Sequence, residues 1–176
     1  MKIQRNWFVA AALLLPLLFV VFSVGLALAS PAVASSPTYS FDLTGPQTNK
    51  DPGTNNTLAL TGAGSFDPSA GTVVASGAFA IFSSSGSPLS FGTWKATGFD
   101  SFCSRGGPNS GTQGGVLVIT VTFFPHGGEP ITGVTITVNC LVGTGCSPGA
   151  EGITVTGSVG NFTDVVHGRT LFHLNQ

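Results

Sequence analysis

Val116-Leu117-Val118-Ile119-Thr120-Val121-Thr122-Phe123-Phe124 is the stretch that decides the fold. Its strongest apolar side chains, Leu117, Ile119, Val121 and Phe123, fall two residues apart. That period places them on one face of an extended strand, and no helix would align them. Val134, Ile136, Val138 and Cys140 repeat the phase, and Ile153 and Val155 continue it. These faces are expected to point inward. Thr120, Thr122, Thr135, Thr137, Thr154 and Thr156 then look the other way, toward water.

Working outward, similar short segments recur between clusters of Gly, Pro, Asn and Ser. The pattern predicts strands over residues 38–44, 57–66, 72–83, 91–102, 116–124, 134–141, 153–157, 162–166 and 170–174. Residues 47–56, with Asp51-Pro52-Gly53, read as a turn-rich loop, and residues 105–115 as a glycine-rich one. No segment carries capped helical periodicity, so neighbouring strands are expected to be antiparallel. The predicted fold is all-β: a single antiparallel barrel of about eight or nine strands, with a two-sheet sandwich as the alternative. Gly62, Gly64, Gly77, Gly92 and Gly98 lie inside strands, where they weaken pairing unless they permit bending or close approach. Closure also removes exposed edges, which suits a chain with few charges to guard them.

The chain has 176 residues, 42% hydrophobic and 7% charged, with 25 Gly, 11 Pro and a formal net charge of -1. Six Lys and Arg are too few for a nucleic-acid-binding surface. Disorder needs low hydrophobicity with high net charge, and neither holds. Lys2 and Arg5 precede an uncharged run from Trp7 to Ala29, and Ala27-Leu28-Ala29 and Ala32-Val33-Ala34 offer small-x-small cleavage patterns. Residues 1–34 therefore read as a signal peptide. The run is also long enough to remain as an uncleaved N-terminal anchor, since about 20 apolar residues cross a bilayer. Either outcome puts residues 35–176, a single domain, outside the cytoplasm: secreted or at the cell surface. Membrane contact is expected through the N-terminal segment alone.

A second set of residues carries a resemblance. Gly62-x-Gly64-x-Phe66-Asp67, Gly77-x-Phe79, Gly92-x-Trp94-x-Ala96-Thr97-Gly98, Cys140-x-x-Gly143, Glu151-Gly152-Ile153, Asn161-Phe162 and Gly168-x-Thr170-Leu171-Phe172 span nearly the whole domain. In these it resembles a group of exported bacterial β-rich proteins without an established activity. The resemblance implies a fold and a location and brings no catalytic residue. The meander and its glycines are also loosely similar to the barrels of dirigent proteins and allene oxide cyclases, with none of their substrate-binding motifs.

Three cysteines in an oxidising compartment imply one disulfide and one thiol left over. In a meander the fourth and sixth strands flank the fifth, about 9 to 10 Å apart, beyond the roughly 7 Å that a disulfide spans. Cys103 is therefore expected to pair with Cys146, in the flexible segment beyond Gly143 and Gly145, and Cys140 to stay in the core. Cys140 with Cys146 is the alternative.

His126 and His167 are expected at opposite ends of the barrel, which argues against a metal site. No cofactor is expected. Arg105, Glu151, His167 and Arg169 collect at one mouth beside the glycine-rich loop. They are the candidate ligand-binding residues, with an ion pair from Glu151 to Arg169 or Arg105 as the plainer expectation. Scattered carboxylates and the lack of nucleophile or phosphate-binding motifs leave no catalytic candidate. The expected function is a noncatalytic binding or structural domain, its partner a surface polymer or a small apolar ligand. The alternative is a small barrel enzyme of cyclase or isomerase type, or an apolar carrier, with Trp94, Phe66 and Phe79 lining its cavity. An open interior would favour that alternative, and a filled one the structural module. The threonine ranks additionally suggest an ordered hydroxyl surface facing ice or crystalline polysaccharide.

Overall fold

The computed structural model describes residues 37–175 apart from 108, 110, 147 and 148. The apolar run and both cleavage patterns lie outside these residues. Two-residue alternation becomes ten strands: β1 (Thr38–Lys50), β2 (Thr57–Asp67), β3 (Thr72–Phe82), β4 (Pro88–Gly106), β5 (Thr112–Pro125), β6 (Ile131–Cys140), β7 (Gly152–Gly157), β8 (Gly160–Phe162), β9 (Asp164–His167) and β10 (Thr170–Asn175). Consecutive strands from β1 to β8 pair antiparallel, β10 pairs β1, and β10 also pairs β5. The all-β expectation holds, and the antiparallel sheet closes on itself as a ring. Its closure passes through Phe172 opposite Gln113 and His173 opposite Thr112.

The register keeps the inward phase continuous from β5 through β6 to β7. Leu117 faces Val138, which faces Ile153; Ile119 faces Ile136, which faces Val155. All six are at most 1% exposed. Aromatic rings fill the end where β1 begins. Tyr39 stacks on Phe66 with centroids 5.3 Å apart, and Phe102 meets Phe66 edge-on at 4.8 Å. Phe172 completes the cluster against Phe66 at 5.9 Å.

On the inner face of β2 and β3, Gly62 sits opposite Gly77. The space this leaves is taken by Trp94, which is 1% exposed and donates its indole N–H to the Thr61 carbonyl at 2.9 Å. A Cβ on Gly77 would lie 1.8 Å from the Thr61 oxygen, and one on Gly62 2.3 Å from the Trp94 ring. These glycines are required by close approach.

Three expected boundaries are corrected, the first being the glycine-rich loop, which shrinks from 105–115 because β4 runs to Gly106 and β5 begins at Thr112. Residues 47–50 belong to β1 rather than to a loop. Gly45, at φ 73°, and Pro46 shift the register, and the strand then resumes against β2 and β9. The resumed stretch has no apolar alternation to betray it, because its inward residues are Gln47 and Asn49. Both are fully buried. Gln47 donates its amide to Arg169 O at 2.9 Å, and Asn49 donates to Ile153 O at 2.5 Å, so Asn49 ties β1 to β7 across a gap in the ladder. The expected strand over 162–166 is two strands, which raises the count to ten. A tight turn at Thr163, whose N–H bonds Asn161 O at 3.0 Å, moves the chain from the edge of β7 to the edge of β1.

Asp51 secures the β1–β2 turn. Its carboxylate accepts from Gly53 N at 2.8 Å and from Asn161 N at 3.2 Å. The Asn161 and Gly53 amides hold its carboxyl below the ordinary carboxylate range.

Candidate functional site

The connection from β6 to β7 is pinned at both ends. Register shifts at 96/98, 99/101 and 104/106 let β4 run beside β5 as far as Gly106, which carries Cys103 and Arg105 to this connection. A disulfide joins Cys103 to Cys146 with Cα atoms 6.0 Å apart. Beside it, Arg105 donates Nη1–H to Cys146 O at 2.9 Å and Nη2–H to Gly143 O at 3.2 Å. Thr144 N returns a bond to Arg105 O at 2.9 Å. Gly143 is indispensable in this arrangement, because it has φ 78° and its missing Cβ would lie 2.3 Å from Arg105 O.

At the other end, Glu151 takes backbone donors. Its Oε2 accepts from Leu141 N at 2.6 Å, and its Oε1 from Thr170 N at 3.1 Å. The Thr170 hydroxyl lies 2.7 Å from Asn139 O and 3.0 Å from Glu151 Oε1, so one proton is shared between two acceptors. One carboxylate thus fastens the end of β6, the start of β7 and the start of β10. Cys140 remains a buried free thiol, 3.8 Å from Gln113 O. Burial pushes its pKa up, against a smaller opposing pull from the Val142 amide.

The candidate binding residues are therefore distributed as follows. Arg105 and Glu151 secure opposite ends of one connection; Nη1 and Nη2 of Arg105 and both Glu151 oxygens have main-chain partners, while the buried Arg105 Nε has none among the described residues. In place of the expected ion pair, main-chain amides and carbonyls at the strand ends bond these charged side chains. His167 lies on β9 opposite Thr48, and both it and Arg169 are exposed. His126 instead stacks on Phe91 at 5.2 Å, in the β5–β6 turn beside the start of β4. Among the described residues, no group of three His, Cys, Asp or Glu side chains is placed to hold a metal ion.

Gly149 and Ala150, just before β7, border a cleft on the outer face of β5, β6 and β7. Val116, Thr137, Asn139, Ala150 and Thr154 line it, and its volume is about 120 Å³. Asn139 is 6% exposed. It donates its amide to Ala150 O at 2.8 Å, while its Oδ1 has no partner among the described residues. Thr137 and Thr154 face one another across β6 and β7. Sequence reading missed this cleft, although Val116, an apolar residue in the outward phase, was the trace it left. Asn139 shares the outward phase of Thr135 and Thr137 and gave no further signal. Compared with protein-family models, curated proteins and solved structures, the chain has no match.

Proposed function

We propose that residues 35–176 form an exported β-barrel that acts outside the cytoplasm, secreted or at the cell surface, as a noncatalytic binding or structural module. The observation that carries this reading is the tight burial of the inward aromatic residues. Trp94, Phe66 and Phe79, the residues a substrate cavity would use, are at most 4% exposed. Phe79 is packed on Phe123 at 4.5 Å, and Phe66 lies within the aromatic cluster. A carrier or enzyme for an apolar molecule needs an opening of roughly 300 Å³ or more. The disulfide supports an oxidising location. Arg105 beside the disulfide and Glu151 at the far end of the connection both bond main-chain groups, an architectural use of charge.

Native mass spectrometry of the purified protein tests the reading. The expected mass is that of the polypeptide alone, with its disulfide. An apolar molecule retained in one-to-one ratio would establish a carrier and overturn it. Recovery of the folded protein from the cytoplasmic fraction, with its cysteines reduced, would overturn the location.

A further inference from the structure

We propose that the parted edges of β3 and β4 take up an extended segment of another polypeptide, apolar with a basic residue, as an added strand. This rests on the reading of the domain as a binding module and supplies the partner class that reading lacks.

β3 and β4 pair from Phe82 opposite Pro88 as far as Ser76 opposite Lys95, and there the pairing stops. β4 continues to Gly106 and β3 reaches back to Thr72, but each now keeps a single neighbour, β5 for β4 and β2 for β3. The register shift between Ala96 and Gly98 lies where they part. The last residues of β4 are covered, since Thr144 N bonds Arg105 O and Cys146 Sγ lies 3.4 Å from Ser104 O. Residues 97–103 and 72–75 are left with one edge that no strand among the described residues pairs.

Such an edge presents N–H and C=O groups at the spacing of a ladder, and the ligand that answers that spacing is another extended backbone. Strand edges are commonly guarded by Lys or Pro, and Thr97-Gly98-Phe99-Asp100-Ser101-Phe102-Cys103 contains neither. Successive side chains of an added strand fall on opposite faces. On the inner face stand Val73, Phe99 and Phe102, half-buried and packed against the core, so the residues turned that way are apolar. On the outer face Asp100 is exposed, with its carboxylate accepting only from the Thr120 hydroxyl, at 2.9 Å for Oδ2. A Lys or Arg beside it is the matching charge. Asp100 also argues against a second copy of this chain. Every two-fold antiparallel register that keeps most of 97–103 paired sets the two Asp100 carboxylates within two positions of each other, and like charges across strands repel.

The test is a titration followed in ¹⁵N–¹H spectra of the full chain in detergent. The probe is the blocked peptide Val-Thr-Val-Lys-Val-Thr-Val, beside a copy with Glu in place of Lys and a copy N-methylated at every residue, which has no donors for a ladder. The Lys peptide is expected to shift the amides of 97–103 and 72–75 saturably, and the methylated copy to leave them in place. Asp100→Asn is expected to weaken the Lys peptide by about threefold and to erase its advantage over the Glu peptide. If that variant loses the native spectrum, the Lys and Glu peptides compared on the unsubstituted protein carry the charge argument. The proposal is overturned if no peptide saturates, if the methylated copy shifts the same amides, or if the Glu peptide binds as tightly. It is also overturned if the protein is a dimer whose 97–103 amides are already protected from exchange, which would give the edge to a second copy. Failure here with a bare polypeptide mass leaves the module reading standing. An apolar passenger in that mass sinks the module reading without shifting the edge amides.

Discussion

The wall of β5, β6 and β7 and the wall of β2, β3 and β4 bury their inner faces by opposite means. The first uses branched and aromatic side chains of matched size, register against register, from Leu117 and Val138 to Ile119, Ile136 and Val155. The second alternates large residues with none. Leu58, Leu60 and Phe66 share their face with Gly62 and Gly64, and Phe79 and Ile81 share theirs with Gly77. One ring, Trp94, fills the space beside Gly62 and Gly77, while Ala75 closes against Gly64. An apolar wall distributes its stability over many similar contacts, so each is replaceable. A wall built around one indole concentrates it, because the backbone has closed onto the ring and no neighbour is able to give way.

The sharpest break of this contrast is Gly77→Ala. The added methyl is aimed at the Thr61 carbonyl 1.8 Å away and at the Trp94 indole nitrogen 2.6 Å away. Relief requires β2 and β3 to separate or Trp94 to leave its site, and overpacking of this kind costs about 3 kcal/mol. Urea unfolding is expected to show a much lower midpoint, with Trp94 fluorescence shifted to the red. A midpoint near that of the unsubstituted protein would mean that the indole does not hold this wall.

Ile136→Val probes the other wall. Ile136 is fully buried between Ile119 and Val155, and removing one methylene is expected to cost about 1 kcal/mol. A loss as large as that of Gly77→Ala would erase the distinction between distributed and concentrated packing.

The same contrast explains what was legible in the sequence. Leu117, Ile119, Val121 and Phe123 announce a strand, its phase and its buried face at once, since alternation and burial are one signal. Gly62 and Gly77 announced a close approach without naming what approaches, because Trp94 lies 17 residues beyond Gly77. Gln47 and Asn49 gave the wrong signal. A buried amide looks like a loop residue until its carbonyl partners, Arg169 and Ile153, are known, and both are more than 100 positions away. The candidate site divides in the same way. The Cys103–Cys146 pairing followed from strand order, whereas the main-chain partners of Arg105 and Glu151 and the cleft depend on the path of the connection after Cys140. No residue pattern encodes that path.

Cys140 closes the apolar wall with an ionisable group, and this gives the wall a pH dependence. Burial raises its folded pKa. The unfolded chain therefore loses the thiol proton first, and stability is full below the ordinary thiol value of about 8.5. It declines as pH rises from there toward the raised folded value. Urea midpoints are expected to fall across that alkaline window. Cys140→Val, which keeps the β-branched wall and removes the proton, is expected to flatten the decline. An equal decline in that variant would assign the effect to other groups.

Gly98→Ala is the smallest test and completes the argument about glycine. Gly98 follows Gly62, Gly77 and Gly92 in sequence and resembles them in pattern, yet its site is open. An added Cβ would lie 3.5 Å from Thr120 Cβ, an ordinary contact, next to the register shift between Ala96 and Gly98. With no clash to relieve, the main effect falls on the unfolded chain, whose freedom alanine restricts, and the folded protein is expected to gain about 0.5 kcal/mol. A loss of more than about 1 kcal/mol would show that the β4 bulge needs glycine for its backbone shape. Close approach would then explain the strand glycines only where Trp94 or a neighbouring carbonyl lies within reach.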